Sequence, residues 1–127
     1  MPLYRIAFEA GLLSAADKVA LATEITDFHC RLTGLERPFV KVLFDAFARG
    51  DGFVGGDVGP PVTLTVLIRA GRSTDYKQQM LQQLWAILQR ATGAADAQML
   101  VAIEEAPASQ AMEMGVIMPE LTAGPVP

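Results

Sequence analysis

The proline at position 2 has the most unusual chemistry in this sequence. Pro2 directly follows the initiator methionine, and a small residue there normally permits the removal of Met1. The product is a secondary amine, which no other unmodified residue provides. An α-amino group titrates near about 7.7 to 8 in model peptides, so a dry pocket makes it a base at neutral pH and a nearby carboxylate makes it an acid. On its own, a proline at this position is also compatible with no chemical role.

Two arginines stand close together in the segment Arg69-Ala-Gly-Arg72, between a predicted strand and a predicted helix. Two guanidinium groups can hold a carboxylate through paired hydrogen bonds. The first turn of the following helix adds free backbone N–H groups. The segment therefore predicts a carboxylate clamp, although a solvated arginine pair in a turn gives the same pattern.

Three further residues are candidates for a site. His29 is the only histidine and falls on the predicted inward face of a helix, where it is either a core residue or a site residue. Cys30, the only cysteine, points about 100° away from His29, so we interpret it as a small packing residue. Glu113 is a lone carboxylate in an apolar context, and such a residue is either exposed or functional.

Charge and composition exclude several classes of protein. Lys and Arg are scattered over a chain with a net charge of -4, which argues against a nucleic-acid partner. One His and one Cys cannot form a closed zinc site. No apolar run approaches the roughly 18 residues that cross a bilayer, and no signal-peptide pattern is present. We expect a cytoplasmic protein without a membrane partner, with one domain over residues 1–120 and a mobile tail over 121–127.

The elements that must position these residues begin with a strand over Leu3–Phe8. A helix over about Ala15–Thr33 follows, with a capping box from Ser14 to Asp17 and a stop at Gly34. The residues at helical spacing that we expect to be buried are Ala22, Ile25, His29 and Leu32. The next strand covers Phe39–Phe47, and the residues on one of its faces are Val40, Val42 and Phe44.

A second half repeats this order. A glycine-rich loop or hairpin over Arg49–Pro61 leads to a strand over Val62–Arg69. Ser73 caps a second helix that ends at Gly93, and its predicted buried residues are Leu81, Leu84, Leu88 and Ala91. A strand over Met99–Ile103 follows. From Pro107, a turn or a single helical turn leads to a short last strand at Gly115–Met118.

Two βαβ halves predict an α+β fold. Right-handed crossovers place both helices on the same face of one four-stranded sheet. The strands carry apolar residues on both faces, and two helices cover only one of them. The uncovered face must be buried in another way, which predicts a homo-oligomer.

The order and spacing of the motifs resemble the cis-3-chloroacrylic acid dehalogenase branch of the tautomerase superfamily. The likeness covers nearly the whole chain, from Pro2 to about Pro119. It rests on four segments: PLY from Pro2, ITDFHCRLTG from Ile25, RAGRS from Arg69 and PASQAMEMG from Pro107. The resemblance implies a tautomerase-type fold with two pseudo-symmetric halves and a four-stranded mixed sheet, assembled as a homotrimer.

The same resemblance implies roles for the candidate residues. Pro2 is the catalytic amine, and Arg69 and Arg72 hold the carboxylate of a small substrate. His29 helps to bind and polarise the same end of the substrate, and Glu113 positions or activates water. No metal and no organic cofactor are implied.

One position departs from the family pattern. The dehalogenases have a tyrosine in the fourth strand that acts with the glutamate on water, and Ala102 stands at the matching position here. Losing one such positioned group costs about 10²-fold or more in rate. The sequence therefore favours keto–enol tautomerisation of small 2-oxo or enol acids. The alternatives are dehalogenation or hydration of a cis-3-haloacrylate, and a non-catalytic trimeric homologue.

Overall fold

The computed structural model describes residues 1–121, which form ten helices and strands and three short 3₁₀ turns. In chain order the elements are β1 (Leu3–Glu9), α1 (Ala15–Thr33), β2 (Lys41–Phe47), β3 (Phe53–Val54), β4 (Asp57–Val58), β5 (Val62–Arg69), α2 (Thr74–Thr92), β6 (Met99–Ala106), β7 (Met112–Glu113) and β8 (Val116–Ile117). The 3₁₀ turns cover Arg37–Phe39, Asp96–Gln98 and Ala108–Gln110. Most of the tail predicted over 121–127 lies outside the described residues.

Four strands form one mixed sheet in the order β2-β1-β5-β6. β1 is parallel to β2, and β5 is parallel to β6. β1 and β5 are antiparallel, with Leu3 opposite Leu67 and Ala7 opposite Thr63. The start of β1 therefore lies beside the end of β5, and the two βαβ halves meet at the centre of the sheet. The predicted α+β fold with two βαβ halves is confirmed.

Both helices have the predicted caps. The Ser14 hydroxyl accepts a hydrogen bond from the Asp17 N–H at 3.1 Å, and the Asp17 carboxylate accepts one from the Ser14 N–H at 2.9 Å. Gly34 ends α1 in the left-handed conformation, with φ 75°. In α2 the Ser73 hydroxyl accepts from the Tyr76 N–H, and Gly93 provides the stop. These contacts are local, which explains why the sequence predicts the ends of α1 correctly.

The buried faces of the helices are wider than predicted and rotated. α1 buries Leu21, Ile25, Phe28, His29 and Thr33, whereas Ala22 and Leu32 are only partly buried. α2 buries Met80, Leu84, Ile87 and Leu88. The prediction was wrong for Ala91, which is exposed, and Leu81 is half-buried. Each helix packs on the sheet and on the other helix. Its buried side chains therefore cover two neighbouring faces, and they do not form one stripe at regular spacing.

The core lies between the two helices and one face of the sheet. Tyr4, Ile6 and Phe8 of β1 alternate inward and are buried, as are Val62, Leu64, Val66 and Ile68 of β5. On the opposite face, Leu43 and Leu100 are 45% and 54% exposed. No helix within residues 1–121 covers that face. Its apolar side chains lie beside polar ones such as Arg5 and Asp45, and are exposed in the single chain.

The short elements agree with the predicted turns, with small differences at strand ends. The glycine-rich segment contains the hairpin of β3 and β4, and the last strand belongs to a hairpin of β7 and β8. β2 begins at Lys41 instead of Phe39, because Pro38 lies in a 3₁₀ turn. β6 continues to Ala106 because it pairs with β5 as far as Arg69. Within residues 1–121, no helix combines the length and hydropathy that a membrane span requires.

Candidate active site

A cleft lies at the edge of the sheet where β1 begins and β5 ends. The antiparallel pairing of β1 with β5 brings the amino terminus of the chain to the same edge as Arg69. The polar residues that line the cleft are His29, Thr33, Arg69, Arg72 and Tyr76. The remaining lining residues are apolar: Met1, Leu35, Ile68 and Met80. The cleft thus combines two cations with walls that are partly polar and partly apolar.

The amino terminus is held in this cleft from two sides. Pro2 is fully buried, and its carbonyl oxygen accepts a hydrogen bond from the Lys41 N–H at 3.1 Å. The amino group of Met1 forms an ion pair with Glu113 Oε1. While Met1 is attached, the Pro2 nitrogen is an amide and cannot exchange a proton. After removal of Met1, the Pro2 amine lies within about 3.8 Å of the Cα position that Met1 occupied.

The surroundings of the chain terminus favour an uncharged amine. Burial, followed by the positive charges of Lys41 and Arg69, lowers the pKa of the Met1 amino group from 8.0 to about 5. This shift occurs even though the Glu113 carboxylate contacts the same group. An amine with a lowered pKa is deprotonated at neutral pH and is available as a base.

The two arginines of the predicted clamp line the cleft together. Arg69 Nη1 donates a hydrogen bond to the backbone carbonyl of Pro119 at 2.6 Å. The Arg72 guanidinium lies 4.7 Å from the centre of the Tyr76 ring, in a cation–π contact. Partial burial and the charge of Arg72 lower the pKa of Arg69. The two guanidinium groups repel each other, an arrangement that favours an anion between them, while the nearby Glu120 carboxylate acts on Arg69 in the opposite direction.

His29 is a buried, neutral member of the site. Its Nδ1 lies 2.7 Å from the Tyr4 hydroxyl, and the two rings meet edge to face. Burial, the charge of the chain terminus and the charge of Arg72 lower the pKa of His29 to about 4. Burial also raises the pKa of the Tyr4 phenol far above its ordinary value. At neutral pH the pair therefore consists of an uncharged imidazole and an intact phenol.

Glu113 reaches the chain terminus from the hairpin of β7 and β8. Met114 and Gly115 form its turn with φ of 53° and 78°, as a tight two-residue hairpin requires. The side chain of Glu113 is 9% exposed. Its Oε2 accepts a hydrogen bond from Lys41 Nζ at 2.8 Å, and its Oε1 contacts the Met1 amino group. The carboxylate is thus shared between two cationic groups.

The structure brings all five predicted site residues to one place. Arg69, Arg72 and His29 line the cleft, and Pro2 and Glu113 meet at the chain terminus beside it. Cys30 is half-buried and does not line the cleft, and Ala102 pairs with Thr65 in the middle of the sheet. Among residues 1–121, no group of three or more His, Cys, Asp or Glu residues could hold a metal ion.

Three residues that contact the site were not among the candidates predicted from the sequence: Tyr4, Tyr76 and Lys41. Tyr4 occupies an inward position of an apolar strand, and a buried hydroxyl there must have a partner, which was a usable signal. Tyr76 lies in the first turn of α2, directly after the clamp segment, and this closeness in sequence was a usable signal. Lys41 gave no such signal, because its contact with Glu113 spans 72 residues of sequence.

A second cleft occupies the pseudo-symmetric position, at the edge of the sheet where β1 ends and β5 begins. Glu9 lines it at the end of β1, as Arg69 lines the first cleft at the end of β5. Thr92 lines it at the end of α2, as Thr33 does at the end of α1. Leu88, four residues before Thr92, corresponds to His29, four residues before Thr33. The two clefts share a backbone plan, but only the first is lined by the two arginines of the clamp and by the histidine.

Known proteins with the same features identify the family. The family model Tautomerase_3, described as "Putative oxalocrotonate tautomerase enzyme", matches residues 1–124. The crystal structure of native Ps01740 is 35% identical, with a TM-score of 0.83 over 87% of this chain and 99% of that one. The structure of N1, a member of the cis-3-chloroacrylic acid dehalogenase (cis-CaaD) family, is 26% identical, with a TM-score of 0.84 over 93% of this chain and 84% of that one.

A symmetric trimer of wild-type fused 4-OT is 20% identical, with a TM-score of 0.80 over 91% of this chain and 94% of that one, a likeness of fold alone. Among curated proteins, none matches the chain significantly in sequence. The family model covers almost the full sequence, and the structural neighbours share the βαβ architecture. The predicted resemblance is therefore confirmed, and the chain belongs to the tautomerase superfamily.

Proposed function

We propose that this protein is a proline-dependent tautomerase that transfers a proton between carbon and oxygen in small 2-oxo or enol carboxylic acids. One observation carries this proposal: the chain terminus lies in a cleft with two guanidinium groups, and its surroundings lower the pKa of the terminal amine. A small carboxylate fits this combination, since the arginines hold the anion while the amine remains free to accept a proton.

In the proposed reaction, Arg69 and Arg72 bind the substrate carboxylate. The uncharged Pro2 amine removes the proton of the enol hydroxyl, and the electrons of the O–H bond form the carbonyl. The electrons of the carbon–carbon double bond then take the proton back from the Pro2 ammonium at C3. Neutral His29 supports the developing charge by donating a hydrogen bond to the oxygen. The apolar walls of Leu35, Ile68 and Met80 limit the access of water.

Hydration or dehalogenation of a cis-3-haloacrylate is the second candidate function. It is favoured by the contact of the Glu113 carboxylate with the chain terminus, where it could direct water, and by the likeness to N1 of the cis-CaaD family. In this reaction Pro2 acts as a cation that protonates the substrate. The lowered pKa of the terminal amine and the alanine at position 102 both weigh against it.

We also propose that the protein is a homotrimer. The uncovered sheet face, with exposed Leu43 and Leu100, supports an assembly that buries it. The fused 4-OT neighbour is a symmetric trimer with the same fold. A non-catalytic trimer is the outcome if Met1 stays attached, because the Pro2 nitrogen is then an amide.

Mass spectrometry and two assays test the proposed function. The mass of the purified protein shows whether Met1 has been removed. Wild-type and Pro2→Ala proteins are then assayed with phenylenolpyruvate and with a cis-3-haloacrylate. We expect tautomerisation by the processed wild type and a large loss in Pro2→Ala. Equal rates for the two proteins would exclude both enzymatic functions, and activity on the haloacrylate alone would select the second candidate.

The pH dependence of kcat/KM separates the two roles of Pro2. A base must be deprotonated, so activity falls as the pH drops through the pKa of the amine. An acid must be protonated, so activity falls as the pH rises through it. We expect the first result, with the fall below the ordinary range of about 7.7 to 8 for an α-amino group.

A further inference from the structure

Lys41 is the residue that joins the chain terminus to Glu113. We propose that Lys41 is a positioning residue of the active site, which fixes the Glu113 carboxylate at the chain terminus and opposes the protonation of the Pro2 amine. This inference rests on the proposed function of Pro2. It assigns a role to a strand residue that neither the clamp nor the proton transfer requires.

Lys41 contacts both partners at once. Its backbone N–H donates to the Pro2 carbonyl at 3.1 Å, and its Nζ donates to Glu113 Oε2 at 2.8 Å. The other oxygen of the same carboxylate contacts the terminal amino group. Lys41 is the first residue of β2 and pairs with Leu3, the residue after Pro2. The geometry is therefore fixed by the sheet on one side and by the β7–β8 hairpin on the other.

The charges around the terminal amine show why Lys41 matters. Glu113 from β7 is the anion at the amine, and Lys41 from β2 and Arg69 from the end of β5 are cations that oppose its protonation. Arg72 lies in the same cleft, and His29 from α1 is neutral at neutral pH. Without Lys41, the terminal amine would be the only cationic partner of the Glu113 carboxylate, and this would favour the protonated amine. Lys41 offsets this effect in two ways, by sharing the carboxylate and by repelling the ammonium.

The sign of the effect follows directly. Replacing Lys41 by an uncharged residue removes the repulsion and leaves Glu113 without its second cation, and both changes raise the pKa of the amine. A nearby charge changes a pKa by about one unit or more. A larger fraction of Pro2 is then protonated at neutral pH, so a reaction that needs the base slows there and recovers at higher pH.

Lys41→Met is the test variant, since it removes the charge and keeps the length of the side chain and the backbone N–H. Lys41→Arg keeps the charge. Lys77→Met is a matched control, because Lys77 Nζ pairs with Glu105 at 2.9 Å and neither residue lines the cleft. Circular dichroism and the elution volume confirm that each variant is folded and assembled as the wild type is.

The primary readout is the titration of the Pro2 amine in the processed protein, followed by NMR with ¹⁵N-labelled proline. We expect an upward shift of about one pH unit in Lys41→Met. We expect little change in Lys41→Arg and none in Lys77→Met. In the pH profile of kcat/KM for an enol acid, the acidic limb should move to higher pH by the same amount. The activity of Lys41→Met should recover at high pH.

The two proposals fail in different ways. An unchanged or lowered amine pKa in Lys41→Met overturns the role of Lys41, whatever the activity of the wild type. A uniform loss of kcat/KM at every pH without a shift of the limb also overturns it, because it indicates a purely structural role. A shifted amine pKa in a protein that is inactive toward all tested acids supports Lys41 and contradicts the tautomerase proposal.

Discussion

At the scale of single residues, the site depends on partners that set the charge and orientation of each functional group. His29 has its Nδ1 against the Tyr4 hydroxyl, and Arg72 has its guanidinium over the Tyr76 ring. Neither tyrosine needs to touch the substrate for these contacts to matter. If the Tyr4 O–H donates to Nδ1, the proton of the neutral imidazole lies on Nε2, the nitrogen that is left to donate to a ligand.

Tyr4→Phe should weaken catalysis by removing the group that selects this tautomer. Loss of one neutral hydrogen bond costs about 1 kcal/mol, which corresponds to roughly a five- to tenfold lower kcat with a smaller change in KM. Because His29 is the only histidine, ¹⁵N NMR of histidine-labelled protein reports its tautomer without overlap. The expected spectrum of the variant is a mixture of tautomers, in contrast to one tautomer in the wild type.

Tyr76→Phe is the control for this experiment. It also removes a phenolic hydroxyl at the cleft, but it leaves the ring under Arg72 and the hydrogen bond between Tyr4 and His29 in place. We expect its His29 spectrum to equal that of the wild type. If Tyr4→Phe changes neither the tautomer nor kcat, Tyr4 is only a core residue.

At the scale of elements, the turns between a strand and the next helix set the positions of the candidate site residues. The turn after β5 places Arg69 and Arg72 on either side of Gly71, which has a φ of 121° and lies against the Leu121 side chain. The turn after β1 contains Gly11 with a φ of 97°, near the guanidinium of Arg49. A glycine with positive φ thus occurs in both strand-to-helix turns, but only one of these turns contains the clamp.

Gly71→Ala and Gly11→Ala form a matched pair of variants. A Cβ in these conformations costs about 1 to 2 kcal/mol, so both variants should lose similar stability in urea unfolding. Only Gly71→Ala displaces the arginines. We therefore expect KM for an enol acid to rise about tenfold in Gly71→Ala, as a loss of about 1.4 kcal/mol in binding predicts, and to stay near the wild-type value in Gly11→Ala. Equal KM values in the two variants would show that the turn does not position the clamp.

The elements also show what could be predicted from the sequence. Helix ends were predictable because Ser14, Ser73, Gly34 and Gly93 act through contacts within a few residues. The buried faces were less predictable, because Phe28, Met80 and Ile87 turn inward to fill a space that the sheet and the other helix define together.

The candidate site follows the same rule. Pro2, His29, Arg69, Arg72 and Glu113 could be found from motif order and residue type. Lys41 could not, because its significance comes from a hairpin 72 residues away. Residue type and spacing thus suggest which groups do chemistry, whereas the partners that tune them depend on tertiary contacts.

At the scale of the whole molecule, the uncovered sheet face is the surface through which we expect the proposed trimer to assemble. A side chain such as Leu43, 45% exposed in the single chain, would be buried between copies of a trimer. Leu43→Lys should therefore dissociate the trimer, since an unpaired charge in an apolar interface is costly. Size-exclusion chromatography with light scattering measures the mass, which we expect to fall towards that of one 13.6 kDa chain.

Val19→Lys is the control for the assembly, because Val19 is 68% exposed on α1, on the other side of the molecule from the uncovered face. This variant should keep the mass of the wild type. A Leu43→Lys protein that remains trimeric would show that a different surface holds the copies together.

The contrast between the two clefts has a consequence for mutational tolerance. Glu9 and Leu88 stand in the second cleft where Arg69 and His29 stand in the first, so the same backbone plan occurs at both clefts but the chemical groups occur at only one. Natural variation around the two clefts should therefore be limited by different requirements. Around the second cleft, substitutions need only preserve volume and folding. Around the first cleft, to which both βαβ halves contribute residues, the proposed activity adds a further requirement, and a library randomised evenly over both clefts should lose its active clones mainly there.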